Sequence, residues 1–383
     1  MTQRRVRLTV VGALLLAALA SASAVMGGPA NPQPTEQGPR AAPNPVPLLA
    51  YYYIWFDKTS WQRAKSDLPT LGPYSSDDAT VMRQHIRWAK AAGITGFIVS
   101  WKSAPALDSR LETLMKVATA EQFKLAIIYQ GLDVNRRPLP AARVKADLEF
   151  FQAHYAADPV FRIFDKPLVI VSGTWEFSVA DIQSITANLR GSMLVLASEK
   201  NVSGFQRVQQ LVDGDAYYWS SVNPDTFPGY QAKLDGFATA VHTAHGLWIA
   251  PAAPGFDATL LGHHTVVGRK DGDTLRREAS AAMQSGPDAL GIISWNEFSE
   301  NSYIEPSHLY GDRYLQVLSE IAQLPAPSID LLGSSGDEPG GVPATPAPDP
   351  LRLVIVGLLV VAVILIPIFV IRARRAGRAH GPS

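Results

Sequence analysis

The chain has 383 residues, 47% of them hydrophobic and 9% aromatic, ample for a large packed core, so disorder along its whole length is excluded. Its 34 Lys and Arg balance 34 Asp and Glu, so no global charge excess argues for nucleic acid or a strongly charged substrate. Cysteine is absent, and with it thiolate catalysis, cysteine-ligated metals and iron–sulfur clusters.

In chain order, residues 1–24 place Arg4, Arg5 and Arg7 before an apolar run that ends at Ala22-Ser23-Ala24, an A-x-A cleavage site. They read as an export signal, with an uncleaved anchor as the alternative because the apolar stretch is long. Residues 25–45 are rich in Pro and small polar residues and read as an extended linker.

Between residues 46 and 324, short apolar runs alternate with helical patterns. The strand candidates are VPLLAYYYIW, ITGFIVSW, KLAIIYQG, PLVIVSG, MLVLAS, DAYYWS, LWIAPAA and ALGIISW. Helical stripes lie between them: Met82, Ile86 and Ala89; Leu111, Leu114 and Met115; Val144, Leu148, Phe151 and Tyr155. Each stripe reads as a face packed on a sheet. A last helix, DRYLQVLSEIAQL, closes the domain. The pattern predicts an α/β fold, a (β/α)8 TIM barrel. An open doubly wound sheet is the alternative, but no G-x-G-x-x-G follows the first strand.

Residues 325–350 form a second Pro/Gly-rich linker. Within 351–371, the run from Leu353 to Ile371 carries no charge and is long enough to cross a bilayer, where Pro367 is tolerated. The basic tail, 372–383, then lies in the cytoplasm by the positive-inside rule. The expectation is a single-pass cell-membrane protein with residues 46–324 outside the cell.

A barrel of this kind places its chemistry where strands end and loops begin. Those ends hold Tyr52, Tyr53 and Trp55; Trp101 and Lys102; Tyr129 and Gln130; Trp175 and Glu176; Ser198 and Glu199; Tyr218 and Trp219; Pro254, Phe256 and Asp257; and Trp295 to Glu300. Any single aromatic here could equally cap the barrel core. Their concentration across so many strand ends favours a carbohydrate cleft, because sugar rings stack apolar faces on aromatics and present hydroxyls to polar groups. The candidate substrate-binding set is Tyr52, Tyr53, Trp101, Tyr129, Gln130, Tyr218, Trp219, Asp257, Trp295 and Asn296.

The stretch WNEFSENSYIEP, residues 295–306, carries Glu297, Glu300 and Glu305. Glycoside hydrolysis generally needs two carboxyl groups, and Glu297 and Glu300 are the best candidates, since both can face one cleft from the eighth strand. Their proximity to each other and to Trp295 would raise the pKa of one. Glu305, before Pro306, reads as a loop brace. His263 and His264 are adjacent and point in different directions, so no metal is expected, nor any cofactor. Asn201-Val202-Ser203 matches a glycosylation sequon, a pattern frequent by chance.

NEFSENSYIEP resembles the N-E-W-x-E-x-x-x-I-E-P signature of glycoside hydrolase family 99, the endo-α-mannosidase and endo-α-mannanase group. YYYIWF, LGPYSSDDATVMRQHIRWAKAAGITGFIVSW, PGFD and GRKDGDT are similar to other family segments in the right order. The resemblance implies a (β/α)8 fold and retaining cleavage of internal α-mannosidic bonds through a 1,2-anhydro sugar. It implies that Glu297 is the base that takes the 2-hydroxyl proton, and that Glu300 protonates the leaving oxygen and then activates water. It also implies a stacking role for Trp101 and sugar contacts for Tyr52 and Tyr53.

Phe298 stands where the family usually has tryptophan, Ser299 to Ser302 replaces H-E-G-T, and AIIYQGL departs from H-I-E-P-Y, placing Gln130 near a family glutamate. The carboxylates are kept while the sugar subsites have changed. The competing readings are a non-catalytic glycan-binding ectodomain and an endo-α-glucanase related to glycoside hydrolase family 71.

Overall fold

The structure, a computed structural model, describes residues 46–327. The expected signal (1–24), linker (25–45), membrane span (351–371), basic tail (372–383) and most of the second linker lie outside the described residues. Among those described, no helix is long and apolar enough to cross a membrane.

Eight parallel strands form one sheet: β1 (Leu48–Tyr53), β2 (Gly96–Trp101), β3 (Lys124–Gln130), β4 (Leu168–Ser172), β5 (Leu194–Leu196), β6 (Gly214–Ala216), β7 (Leu247–Ala252) and β8 (Ala289–Ile292). Their order is β5-β4-β3-β2-β1-β8-β7-β6. Ala197, just past β5, ties the two edges together: its N–H donates to Gly214 O at 3.0 Å, and the Ala216 N–H donates to its carbonyl at 2.9 Å. The sheet is thus a nearly closed barrel, consistent with the expected (β/α)8 architecture.

The strand expected over DAYYWS is shorter than its pattern. It stops at Ala216 because β5 ends at Leu196, and nothing on that side pairs with Tyr217 to Trp219. Gly214 lets the chain close up against β7: a Cβ there would lie 2.0 Å from Leu247 O, and its φ is +149°.

Eight helices follow the strands in turn: α1 (Ala79–Ala91), α2 (Pro105–Ala120), α3 (Ala141–His154), α4 (Val179–Thr186), α5 (Val202–Val208), α6 (Tyr230–Thr243), α7 (Asp273–Gln284) and α8 (Arg313–Ile321). Local chemistry starts several of them. The Asp78 carboxylate accepts the Thr80 and Val81 amides at the head of α1, Ser178 and Asp181 form a capping box on α4, and Pro105 opens α2 where its missing N–H is not needed.

Side chains alternate along each strand, and this decides which residues reach the site. On β1, Ala50 and Tyr52 pack under the helices, whereas Leu49 and Tyr51 fill the barrel interior with Ile98, Ile128, Ile170 and Ile249. The helical stripes read from the sequence, among them Met82, Leu111, Leu148 and Phe151, lie in the outer layer. Inward-facing residues one step further along the strands reach the C-terminal mouth.

Candidate active site

At that mouth Tyr53, Gln130 and Tyr218 line a cavity of about 480 Å³ together with Trp55, Trp175, Trp219, Glu297 and Glu300. Beside it lies a second cavity of about 420 Å³ lined by Trp55, Phe56, Lys65, Leu261, Glu297 and Glu300. Trp55, Glu297 and Glu300 belong to both, so the two carboxylates stand at the divide of a two-lobed cleft. A larger cavity, about 650 Å³, opens at the opposite end of the strands between Lys166, Arg190, Leu194, Asp213 and Leu247. Its Asp213 is taken up by Arg190 at 2.9 Å and the Val195 amide at 2.8 Å. Barrel chemistry sits at the C-terminal end, which favours the smaller, two-lobed cleft.

Glu297 is fixed from several sides. Its N–H donates to Ser294 Oγ at 2.8 Å, and its carboxylate accepts the Ser299 N–H at 3.0 Å. The preceding residue, Asn296, clamps β1: its Oδ1 accepts the Tyr53 N–H at 2.8 Å and its Nδ2 donates to Tyr53 O at 3.0 Å. Asn296 Nδ2 also donates to the Tyr74 hydroxyl at 3.2 Å, and Tyr74 donates to Glu305 Oε2 at 2.9 Å. The other Glu305 oxygen lies 2.9 Å from His85 Nε2, whose Nδ1 lies 3.0 Å from the Tyr52 hydroxyl. The glutamate before Pro306 therefore anchors a fully buried polar chain that ends one residue from Glu297. Every member has a partner, which makes such a network rigid.

Glu300 is held by its backbone. The Asp257 N–H donates to Glu300 O at 2.8 Å. On the other side, Arg269 Nη2 donates to Asn301 O at 3.0 Å and Tyr303 O at 2.8 Å, fixing Asn301 in a left-handed conformation at φ 48°. The Arg269 guanidinium lies over the rings of Tyr303, Tyr310 and Tyr314, each about 4.5 Å from its centroid.

Burial, reinforced by the Glu300 charge, pushes the Glu297 carboxyl up to about 7; the Ser299 groups and Lys65 oppose it. Burial also raises Glu300, against Arg136 and His263. Two carboxyls of raised pKa at a cleft divide are suited to proton transfer near neutral pH. Tyr53, whose hydroxyl lies 2.7 Å from that of Tyr218, is raised by burial and by both glutamates.

On β1 and β3 the sequence-selected residues divide by strand parity, whereas those after β6 and β8 lie beyond the strand ends. Glu297, Glu300, Tyr53, Gln130, Tyr218 and Trp219 line the cleft. Tyr52, Trp101, Tyr129 and Trp295 point into the layer beneath the helices. There Trp101 Nε1 donates to Asp108 at 3.0 Å and the Tyr129 hydroxyl to Asp147 at 2.8 Å, while Trp295 packs on Phe97 and His85. Asn296 is a backbone clamp, and Asp257 caps the following turn by accepting from Thr259. Sequence reasoning did not single out Arg136, Lys65 or Lys233; loop and helix-start cations carry no periodic signal. Among the described residues no group of three His, Asp or Glu is placed to hold a metal ion.

Fold and site together define a barrel of the carboxylate-pair class, the layout with which glycosidic bonds are broken. Residues 57–316 match glycosyl hydrolase family 99, and the chain belongs to that family. It is 24% identical over 275 residues to a glycoprotein endo-alpha-1,2-mannosidase-like protein of Danio rerio, covering 63% of this chain and 59% of that one. A Mus musculus protein of the same description is 23% identical over 282 residues, covering 64% and 60%. The chain thus spans about three fifths of the length of these relatives. A family 99 endo-alpha-mannosidase structure from Bacteroides thetaiotaomicron superposes with a TM-score of 0.64 at 19% identity, over 73% of this chain and 96% of that one. A structure described as a glycoside hydrolase-like protein gives 0.55 at 16% identity, over 74% and 97%. At these identities the two structures bear on the fold.

Proposed function

We propose that the chain is a retaining endo-glycosidase acting on α-mannosidic, mannan-like linkages at the cell surface. The observation that carries this reading is the position of Glu297 and Glu300, shared by two cavities so that a glycan threaded through both would expose an internal bond to the carboxyls. Family membership and the mannosidase-like description of the relatives support the sugar class.

In the reaction, Glu297 removes the proton from the 2-hydroxyl, whose oxygen attacks the anomeric carbon and forms a 1,2-anhydro sugar. Glu300 gives its proton to the departing glycosidic oxygen. Glu300 then takes a proton from water as that water opens the ring at the anomeric carbon, and Glu297 returns its proton to the 2-oxygen. Two inversions give net retention. A base whose pKa is near 7 abstracts this proton better than an ordinary carboxylate while staying substantially ionised at neutral pH. Tyr53, Gln130, Tyr218 and Trp219 contact the sugar on one side, and Trp55 stacks at the divide. The signal at 1–24 exports the chain and the apolar span at 351–371 tethers the catalytic domain outside the membrane, as protease treatment of intact cells would test.

The function is tested by incubating the chain with α-mannan and α-glucan and following new reducing ends. Mannan cleavage that drops at least about 1,000-fold in both Glu297→Gln and Glu300→Gln is expected, the scale of losing an essential proton-transfer group. Cleavage of α-glucan alone would move the sugar assignment, and binding without cleavage would replace the enzyme by a glycan-binding protein.

A further inference from the structure

The larger lobe of the cleft carries three cations that the mechanism does not use. Arg136, Lys200 and Lys233 all line it, and none makes an ion pair or side-chain hydrogen bond among the described residues. The neighbouring Arg207, by contrast, is committed to Glu199 at 3.0 Å. Lys200 Nζ lies 4.4 Å from the centroid of Trp175, and Lys233 Nζ lies over Tyr217 and Trp219 at 5.3 and 5.1 Å.

These contacts change what the lobe offers a sugar. A neutral ring needs a bare aromatic face, but Trp219 is only 8% exposed, with Tyr230 stacked on it at 4.6 Å and Lys233 Nζ over the same indole. Trp175 carries the Lys200 ammonium over its ring. Trp55, 42% exposed at the divide, keeps a free face for a neutral ring. Beyond it the lobe presents positive charge rather than stacking surface.

The three cations differ in their surroundings. Arg136 faces Glu300 and Lys200 faces Glu199, so each has a carboxylate to balance. Lys233 has none: burial holds its amine below the usual range with no carboxylate opposing that shift. A partly desolvated ammonium without an anion is unfavourable, and ring faces recover only part of the loss because they accept no conventional hydrogen bond.

We propose that this lobe receives an anionic substituent of the glycan, a carboxylate or a phosphate, bound chiefly by Lys233 with Lys200 and Arg136 flanking it. The inference rests on the glycosidase reading and deepens it by naming a charged polysaccharide as the substrate. The net charge of the whole chain is zero, so the selection is local.

The test uses the full chain carrying Glu297→Gln, which leaves the ligand intact, and measures the binding of three α-mannooligosaccharides by calorimetry: neutral, phosphorylated and ending in a uronic acid. At least one charged ligand is expected to bind about tenfold more tightly than the neutral one, as a single partly exposed charge-assisted contact supplies. The advantage shrinks several-fold between about 0.05 and about 0.5 M salt as screening sets in. Adding Lys233→Gln brings the charged-to-neutral ratio towards one, and Lys233→Arg retains most of it. The phosphate and uronate arms distinguish the two sources of the anion. Neutral ligand bound as well as both charged ones overturns the inference and leaves the glycosidase reading standing. No binding of any of the three overturns the inference and the mannoside assignment together.

Discussion

A carboxyl whose pKa is raised by burial lowers the stability of the folded state once it ionises, and Glu297 provides a direct measure of that strain. Its environment lifts it from 4.5 to about 7, burial first and the Glu300 charge second. At about 1.4 kcal/mol per pH unit, this corresponds to about 3 kcal/mol of destabilisation when Glu297 is fully charged. The sign follows from proton binding. Between the unfolded and folded pKa values the native state holds the extra proton, so the favourable contribution is complete below about 4.5 and is lost as pH rises through about 7.

Glu297→Gln keeps the size and can still accept the Ser299 N–H, but it never ionises. The variant should match the parent chain near pH 4 and exceed it by roughly 6–12 °C in thermal midpoint near pH 8, at about 2–4 °C per kcal/mol for a domain of this size. Thermal unfolding followed by circular dichroism over this range is the assay, with exposed Glu176→Gln as control. A gain that is constant with pH, or largest at pH 4, would refute the reasoning.

On the proposed mechanism the same ionisation governs activity. With Glu297 as the base, kcat/KM should fall about tenfold per pH unit below about 7, and Lys65→Gln, by removing an opposing cation, should move that limb to higher pH, as a pH–rate profile would register. Arg269→Met removes the guanidinium that fixes Asn301 and Tyr303 without lining either lobe; kcat should fall at least about tenfold with KM changed little, and an equal change in both would contradict a positioning role. Phe151→Ala, in the outer core layer, should cost about 3–5 kcal/mol in denaturant unfolding, while activity measured well below the unfolding transition persists.

Much of the barrel was legible because strand and helix periodicities are dictated by burial. The stripes at Met82, Leu111 and Leu148 pack where their spacing implies, and every strand expected in 46–324 has a counterpart. Strand length was less legible at β6, where Tyr217 to Trp219 look extended and apolar but have no ladder partner on the β5 side. Of the residue pairs expected at strand ends, only one member of the β1 pair and one of the β3 pair lines the cavity at the mouth. Adjacent residues on a strand face opposite ways, so Tyr53 enters the cleft and Tyr52 the helix layer, and Gln130 enters where Tyr129 does not. Counting by twos from the interior residues Tyr51 and Ile128 would have separated them. Nothing in the pattern could reveal Lys233 or Arg136, because a helix start and a loop are brought to the mouth by tertiary folding alone.

The central claim is that Glu297 and Glu300 cleave an internal α-mannosidic bond with retention. Proton NMR of α-mannan digested by the full chain tests it most directly, because the anomeric proton of the first product is resolved before mutarotation. New reducing ends are expected to appear first in the α configuration, accompanied by a rapid fall in polymer length, and to be absent with Glu300→Gln. First-formed β product would contradict the retaining mechanism, and undiminished release from the Glu300→Gln chain would remove Glu300 from the chemistry.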